Sequence, residues 1–313
     1  MTALAPPSRT APLTATLAVG LLLMATGCGT NDSQAAAPSP APVAPTSGDE
    51  ASNSPGEVST PSAPASQIAT DLVEVVVDGR TISGSCSGTS AEGAPTLIMS
   101  PGLGSPRTQL SSVGDALVTK VRVCSYDRAG TGSSDPAPAK QSLASVVDDM
   151  DAWLRGGSVE PPYVLLGQSL GGSAVMAYAQ AHPDDVAGFV AMNPVPPYTS
   201  WLARASTVET PEELQTMEVD FYAGANDERL DLQDTDLMTS AELPSSMPFV
   251  VMFAEDCPGD FCDRIRPALL AEAQVVAATG AGGRLVTAEG AGHEIFATDL
   301  DLVLGEVEAL LQQ

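Results

Sequence analysis

Ser169 stands in Gly167-Gln168-Ser169-Leu170-Gly171-Gly172, with the apolar run Tyr163-Val164-Leu165-Leu166 directly ahead of it and the Ala-rich run from Leu170 to Ala181 behind it. Strand, tight turn and helix in that order are what a nucleophile elbow requires. A serine on so sharp a turn sits at strained backbone angles, so only glycine fits two residues before it and two after it. With 28 glycines in 313 residues, the spacing alone would also suit an ordinary glycine-rich turn. The flanking strand and helix make Ser169 the candidate nucleophile.

A serine hydroxyl is a poor nucleophile at neutral pH and needs a base, normally histidine, oriented by a carboxylate. The chain has 2 histidines. His293, in Glu289-Gly290-Ala291-Gly292-His293-Glu294, follows the last predicted strand and precedes the last predicted helix, where the base belongs in the chain order Ser, Asp, His. His182 closes the elbow helix in Ala181-His182-Pro183-Asp184 and would lie roughly 15 to 20 Å from Ser169 at 1.5 Å per residue, so it reads as a helix-terminal residue. The acid is expected in Ala254-Glu255-Asp256-Cys257-Pro258-Gly259-Asp260, after the seventh predicted strand. Asp256 is the choice there, with Asp260 and Glu255 as alternatives; Asn193, after the sixth strand, cannot supply a charge.

Acyl transfer also needs donors for a developing oxyanion, normally two backbone amides worth about 3 kcal/mol each. Leu170 supplies one as the residue after the nucleophile. The other is expected from Leu103 in Ser100-Pro101-Gly102-Leu103-Gly104, where glycines let the backbone approach a substrate.

These groups need a frame. Strand-like runs lie at Leu72 to Val77, Thr81 to Ser85, Thr96 to Ser100, Val121 to Tyr126, Tyr163 to Leu166, Ala187 to Met192, Phe249 to Phe253 and Arg284 to Thr287. Helical patterns at Thr108 to Lys120, Ser142 to Leu154, Leu170 to Ala181, Asp263 to Ala278 and Leu300 to Leu311 alternate with most of them. Alternation of this kind implies a mainly parallel sheet covered on both faces, here of eight strands, after an initial hairpin through Asp78-Gly79-Arg80. Residues from about 194 to 247 break the rhythm with acidic helical turns, Trp201 and Phe221-Tyr222, and read as a lid over the site or as an excursion covering the sheet.

The first 66 residues are not a fold. Residues 1–27 read as an export signal: Arg9, an apolar region from Ala11 to Met24, then Ala25-Thr26-Gly27 ahead of Cys28. Small residues before a cysteine resemble a bacterial lipobox, which would lipidate Cys28 and anchor the chain at the outer face of the cell membrane. Ala25 departs from the usual larger aliphatic and keeps simple secretion as the alternative. Residues 28–66 are then an Ala/Pro/Ser/Thr/Gly linker, and 67–313 suit one larger α/β domain, expected to be a monomer.

Formal charge is −26, from 13 basic and 39 acidic residues, which disfavours nucleic acid or an anionic membrane surface as a partner. With Cys28 set aside, Cys86, Cys124, Cys257 and Cys262 form an even set suited to disulfides. Pairing Cys86 with Cys124 and Cys257 with Cys262 is attractive, the first closing a loop worth roughly 4 kcal/mol, though four cysteines allow three pairings. The spacings match no common zinc pattern, and no cofactor is called for.

Together these elements resemble the α/β-hydrolase superfamily over residues 67–313. More narrowly, Arg122-Val123-Cys124-Ser125-Tyr126-Asp127-Arg128-Ala129-Gly130-Thr131-Gly132-Ser133-Ser134 looks like the segment after the fourth strand in bacterial exported esterases and lipases. Such proteins tend to carry a cysteine matching Cys86, which implies the Cys86–Cys124 disulfide. Asp127 and Arg128 are expected to form a structural ion pair near the site. Three departures stand out: Pro101 replaces a histidine in the oxyanion loop, Gln168 replaces a histidine before the nucleophile, and an acid three residues after Ala254 would fall on Cys257.

The resemblance implies a serine hydrolase with carboxylic esters as its substrate class. A prolyl aminopeptidase-like enzyme would instead need lid acids such as Glu209, Glu212, Glu213 and Asp220 to bind a free amino group. A non-catalytic surface lipoprotein that keeps the fold for binding is the reading from another class.

Overall fold

The computed structural model describes residues 70–137, 140–217, 228–240, 242–256 and 259–313, apart from the side chains of 216, 217 and 260–262. The export segment 1–27, Cys28, the linker to residue 66, Asp220, Cys257 and the side chains of Asp260 and Cys262 lie outside the described residues.

Eight strands form one sheet: β1 (Thr70–Val77), β2 (Arg80–Ser87), β3 (Thr96–Ser100), β4 (Val123–Tyr126), β5 (Tyr163–Gln168), β6 (Val186–Met192), β7 (Phe249–Ala254) and β8 (Gly283–Ala288). Their order is β1-β2-β4-β3-β5-β6-β7-β8. β2 runs antiparallel to both β1 and β4, and every later pairing is parallel. The opening hairpin turns on Asp78 and Gly79, both at positive φ, as a two-residue turn between twisted strands requires. Cys86 and Cys124 are opposite one another in the β2–β4 pairing, and a disulfide with Cα–Cα 4.1 Å joins them.

The inner strands carry apolar residues on both faces, and the sheet accordingly has two cores. On one face Leu97, Val164, Leu166, Val190 and Met252 meet Leu117 of α1 (Ser111–Leu117) and Val303 and Val307 of α8 (Leu300–Leu311). On the other, Ile98, Leu165, Phe189 and Val251 share a core with residues of α2 (Leu143–Gly156), α3 (Leu170–Ala181) and α6 (Asp260–Ala277). Ser142 starts α2 with a capping box, accepting from the Ser145 N–H while its own N–H donates to Ser145 Oγ. Residues 170–179 of α3 are buried on every side, which suits its run of alanines, glycines and aliphatics.

Helix α1 is shorter than its apolar pattern. The expected Thr108–Lys120 helix is a 3-10 turn over Arg107–Leu110 followed by α1, which ends where the N–H groups of Lys120 and Val121 both turn back to the Leu117 carbonyl.

Between β6 and β7 the chain makes an excursion through α4 (Tyr198–Ala205), α5 (Pro211–Met217) and a 3-10 segment, Leu232–Thr239, that packs on α3. Its Leu230–Asp231 pairs in parallel with Gln141–Ser142 ahead of α2. Glu272 of α6 accepts from Ser200 Oγ at 2.6 Å and from Arg204 Nε, tying α4 to the body. The last turn before α8 is α7 (Ile295–Thr298), and among the described residues no helix is long and apolar enough to cross a membrane.

Candidate active site

Ser169 occupies the turn between β5 and α3 at φ 54° and ψ −117°, a conformation that side-chain-bearing residues adopt only when their surroundings impose it. The imposing contacts are visible. The Ser169 N–H donates to the Met192 carbonyl at 2.8 Å, and its own carbonyl accepts from Ser173 and Val195 N–H groups at 3.2 and 3.4 Å. A Cβ on Gly167 would lie 2.1 Å from the Gly171 carbonyl oxygen, and one on Gly171 would lie 2.0 Å from the Ser100 oxygen. Both obstacles are backbone, which gives the glycine spacing its steric reason.

His293 follows β8 and leads into α7. Its Nε2 is buried and has no hydrogen-bond partner among the described residues. Burial pushes the imidazole pKa below its ordinary value, against an opposing pull from Glu294, so the ring is neutral at pH 7 with a basic nitrogen uncommitted. Its backbone is fixed by a residue that sequence reasoning set aside. Asn193, at φ 42°, donates from Nδ2 to the His293 carbonyl at 2.9 Å and accepts from the Ala254 N–H at 2.8 Å. The neighbouring Met192 holds Ser169, so two consecutive residues at the end of β6 secure both Ser169 and His293.

The Asp256 N–H donates to the Ala291 carbonyl at 2.9 Å and the Glu255 N–H to Ala288 at 3.1 Å, so the loop after β7 runs alongside the approach to His293. Both side chains are exposed, and among the described residues no hydrogen bond joins the Asp256 carboxylate to His293. His182 caps the opposite end of α3, its ring 4.6 Å from that of Tyr178 and its Nδ1 3.9 Å from Asp151. Asp151, His182 and Asp185 gather there with ligand atoms within 4.8 Å of one another, but Arg155 already pairs with both carboxylates, and the group is an ion-pair cluster.

In the loop after β3, the Gly102 N–H donates to Gln109 Oε1 at 2.7 Å and the Gly104 N–H to Glu228 Oε1 at 2.6 Å. Gln109 in turn donates to Glu294 beside His293 at 2.8 Å. Between these two, the Leu103 N–H has no hydrogen bond among the described residues. Leu170 opens α3, where the N–H has no carbonyl four residues back, so its amide is also free of the helix.

Asp127 and Arg128 do not pair with each other. Asp127 accepts from Arg107 Nη1, from the Arg107 N–H at 2.6 Å and from the Ser133 N–H at 2.9 Å; Arg128 pairs instead with Glu228, 100 residues away. Adjacent residues in a strand-end loop point apart, so each finds a distant partner. Of the acids an amino-group site would need, Glu209 and Glu213 both meet Arg264.

A family model for the alpha/beta hydrolase fold matches residues 95–246. A 1-acylglycerol-3-phosphate O-acyltransferase of Arabidopsis thaliana is 32% identical over 100 residues, 30% of this chain and 24% of the plant protein. Curated relatives are spanned over only part of their length, 26%, 24% and 40% for three of them. Among solved structures, a hydrolase from Pseudomonas aeruginosa superposes with a TM-score of 0.57 at 22% identity, covering 78% of this chain and 99% of that one. The carboxylesterase CesB of Bacillus subtilis gives 0.55 at 17%, covering 78% and 92%. Strand order, elbow geometry and these likenesses agree, and the chain has the α/β-hydrolase fold.

Proposed function

We propose that this chain is a serine hydrolase of carboxylic esters acting outside the cytoplasm. The reading is carried by a buried serine on a strained elbow and a histidine whose buried Nε2 is uncommitted, held by the consecutive residues Met192 and Asn193. Ser169 Oγ attacks the ester carbonyl while His293 Nε2 takes its proton. The carbonyl oxygen, now anionic, is received by the N–H groups of Leu103 and Leu170. Collapse expels the alkoxide, protonated by His293, and leaves an acyl-Ser169 ester. Water, deprotonated by the same nitrogen, attacks that ester and frees the acid and the enzyme. Asp256 is assigned to orient His293, from the loop bonded to the base's own approach.

Ester hydrolysis is supported by the likeness in fold to a carboxylesterase and by the engagement of Glu209 and Glu213 with Arg264, which leaves those acids unsuited to a substrate ammonium. Export is supported by the buried Cys86–Cys124 disulfide, a linkage of oxidising compartments; Cys28 is assigned as the lipidated residue. The test is labelling with a fluorophosphonate probe beside turnover of p-nitrophenyl esters of increasing chain length and of prolyl amides. Labelling of the wild type, its loss in Ser169→Ala, and ester turnover are expected. An unlabelled wild type would sink the reading, and amide turnover without ester turnover would replace esters by peptides.

A further inference from the structure

Arg128 is a fully buried cation that no chemical step above uses. Its side chain is 2% exposed and that of its partner Glu228 0%. The pair is bidentate, with Nε donating to Glu228 Oε2 and Nη2 to Oε1, both at 2.8 Å. Two of the guanidinium's three remaining N–H groups go to the oxyanion loop: Nη1 to the Pro101 carbonyl at 2.6 Å and Nη2 to the Gly102 carbonyl at 2.5 Å. Glu228 accepts from the same loop at the Gly104 N–H. One buried ion pair therefore fixes three backbone groups of a four-residue stretch, and Gln109 fixes a fourth, the Gly102 N–H.

The covalent geometry of the peptide makes this arrangement directional. The Gly102 carbonyl and the Leu103 N–H belong to one planar trans unit, in which C=O and N–H point opposite ways. Holding the carbonyl on Arg128 turns the Leu103 N–H away from Arg128, and it is the donor with no hydrogen bond among the described residues. A cationic donor on the carbonyl also polarises the shared peptide and strengthens its N–H as a donor.

We infer that Arg128, charge-balanced by Glu228, is a positioning residue that aims and polarises the Leu103 amide as an oxyanion donor, an inference that rests on the serine-hydrolase reading above. Glu228 belongs to the excursion between β6 and β7, so the pair also makes the oxyanion loop depend on the seating of that excursion.

Removing either charge alone strands the other in the interior, so the test uses the charge-neutral double variant Arg128→Met with Glu228→Gln, whose glutamine keeps an acceptor for the Gly104 N–H. With a folded protein verified by circular dichroism, kcat on p-nitrophenyl acetate should fall about tenfold to a hundredfold with KM within about twofold. Affinity for phenylboronic acid, which places a tetrahedral oxyanion on Ser169, should fall by the same factor as kcat/KM. Turnover and boronate affinity both within about twofold of wild type would overturn the inference, as would a loss confined to KM. Fluorophosphonate labelling of the wild type at Ser169 keeps the two failures apart: an unlabelled wild type fails the hydrolase reading, whereas a labelled wild type with an unimpaired double variant fails only the role given to Arg128.

Discussion

Around Ser169 the backbone itself is the constraint, whereas the His293 carbonyl is held by one side chain. The elbow is closed by contacts in which a single added carbon would meet carbonyl oxygens at 2.0 and 2.1 Å, so it has no graded way to relax. Asn193 donates to the His293 carbonyl and accepts from the Ala254 N–H, and the assigned acid projects from an exposed position. Ser169 is thus positioned by sterics and His293 by a replaceable clamp. Substitutions on the first side should act as all-or-none changes and those on the second as graded losses.

The sharpest way to break the contrast is Asp256→Asn, which keeps the shape of the acid and removes its charge. A fall in kcat of about 10³-fold or more is expected on p-nitrophenyl acetate. An effect below about threefold would transfer the role to Asp260 or Glu255. Next in size, Gly171→Ala should cost roughly 3 kcal/mol or more, read as Tm, because the new methyl meets the Ser100 and Pro101 carbonyls and neither can move aside cheaply; an unchanged Tm would show that the elbow can relax after all. Asn193→Ala strands the His293 carbonyl and the Ala254 N–H, for a loss of about 1 to 3 kcal/mol. It should lower kcat about tenfold while Ser169 labels to the same final stoichiometry, and full activity would show that the clamp does not position the base.

The mildest test is the pH profile. The proposed mechanism needs a neutral His293 imidazole, and burial favours that form, so protonation is deferred to lower pH. The acid limb of kcat/KM should therefore have its midpoint below the ordinary value of 6.5, with activity kept as pH falls through that value and lost beneath it. A limb at or above 6.5 would mean that the His293 ring is better solvated than its surroundings indicate.

What was legible in the sequence was whatever repeats locally. Each of the eight strands overlaps a strand-like run in the sequence, and the elbow is readable because Gly167 and Gly171 flank Ser169 in a local spacing, although only the Gly167 contact is itself local. Pairings between loops left no such trace. Arg128 sits beside Asp127 in the chain, yet its partner is Glu228, and Asp127 turns to Arg107; neither choice has a period or a spacing to betray it. Asn193 carried only a negative signal, as an amide where a carboxylate was sought, and its use of both amide atoms to join two loops depends on contacts 61 and 100 residues away.

The cross-strand disulfide has a mechanical side. Thr70, the first described residue, opens the edge strand β1 at the free end of the hairpin, opposite Ser87, so a pull on the chain's N-terminal side would load that hairpin as a zipper, one pair of hydrogen bonds at a time. Peeling can travel through β1 and back along β2 only as far as Cys86, where the tension passes covalently into Cys124 beside the central strand β3. A domain tethered at this end could then surrender its first hairpin as slack while the elbow and its surroundings, all beyond the bond, bear the load as one piece.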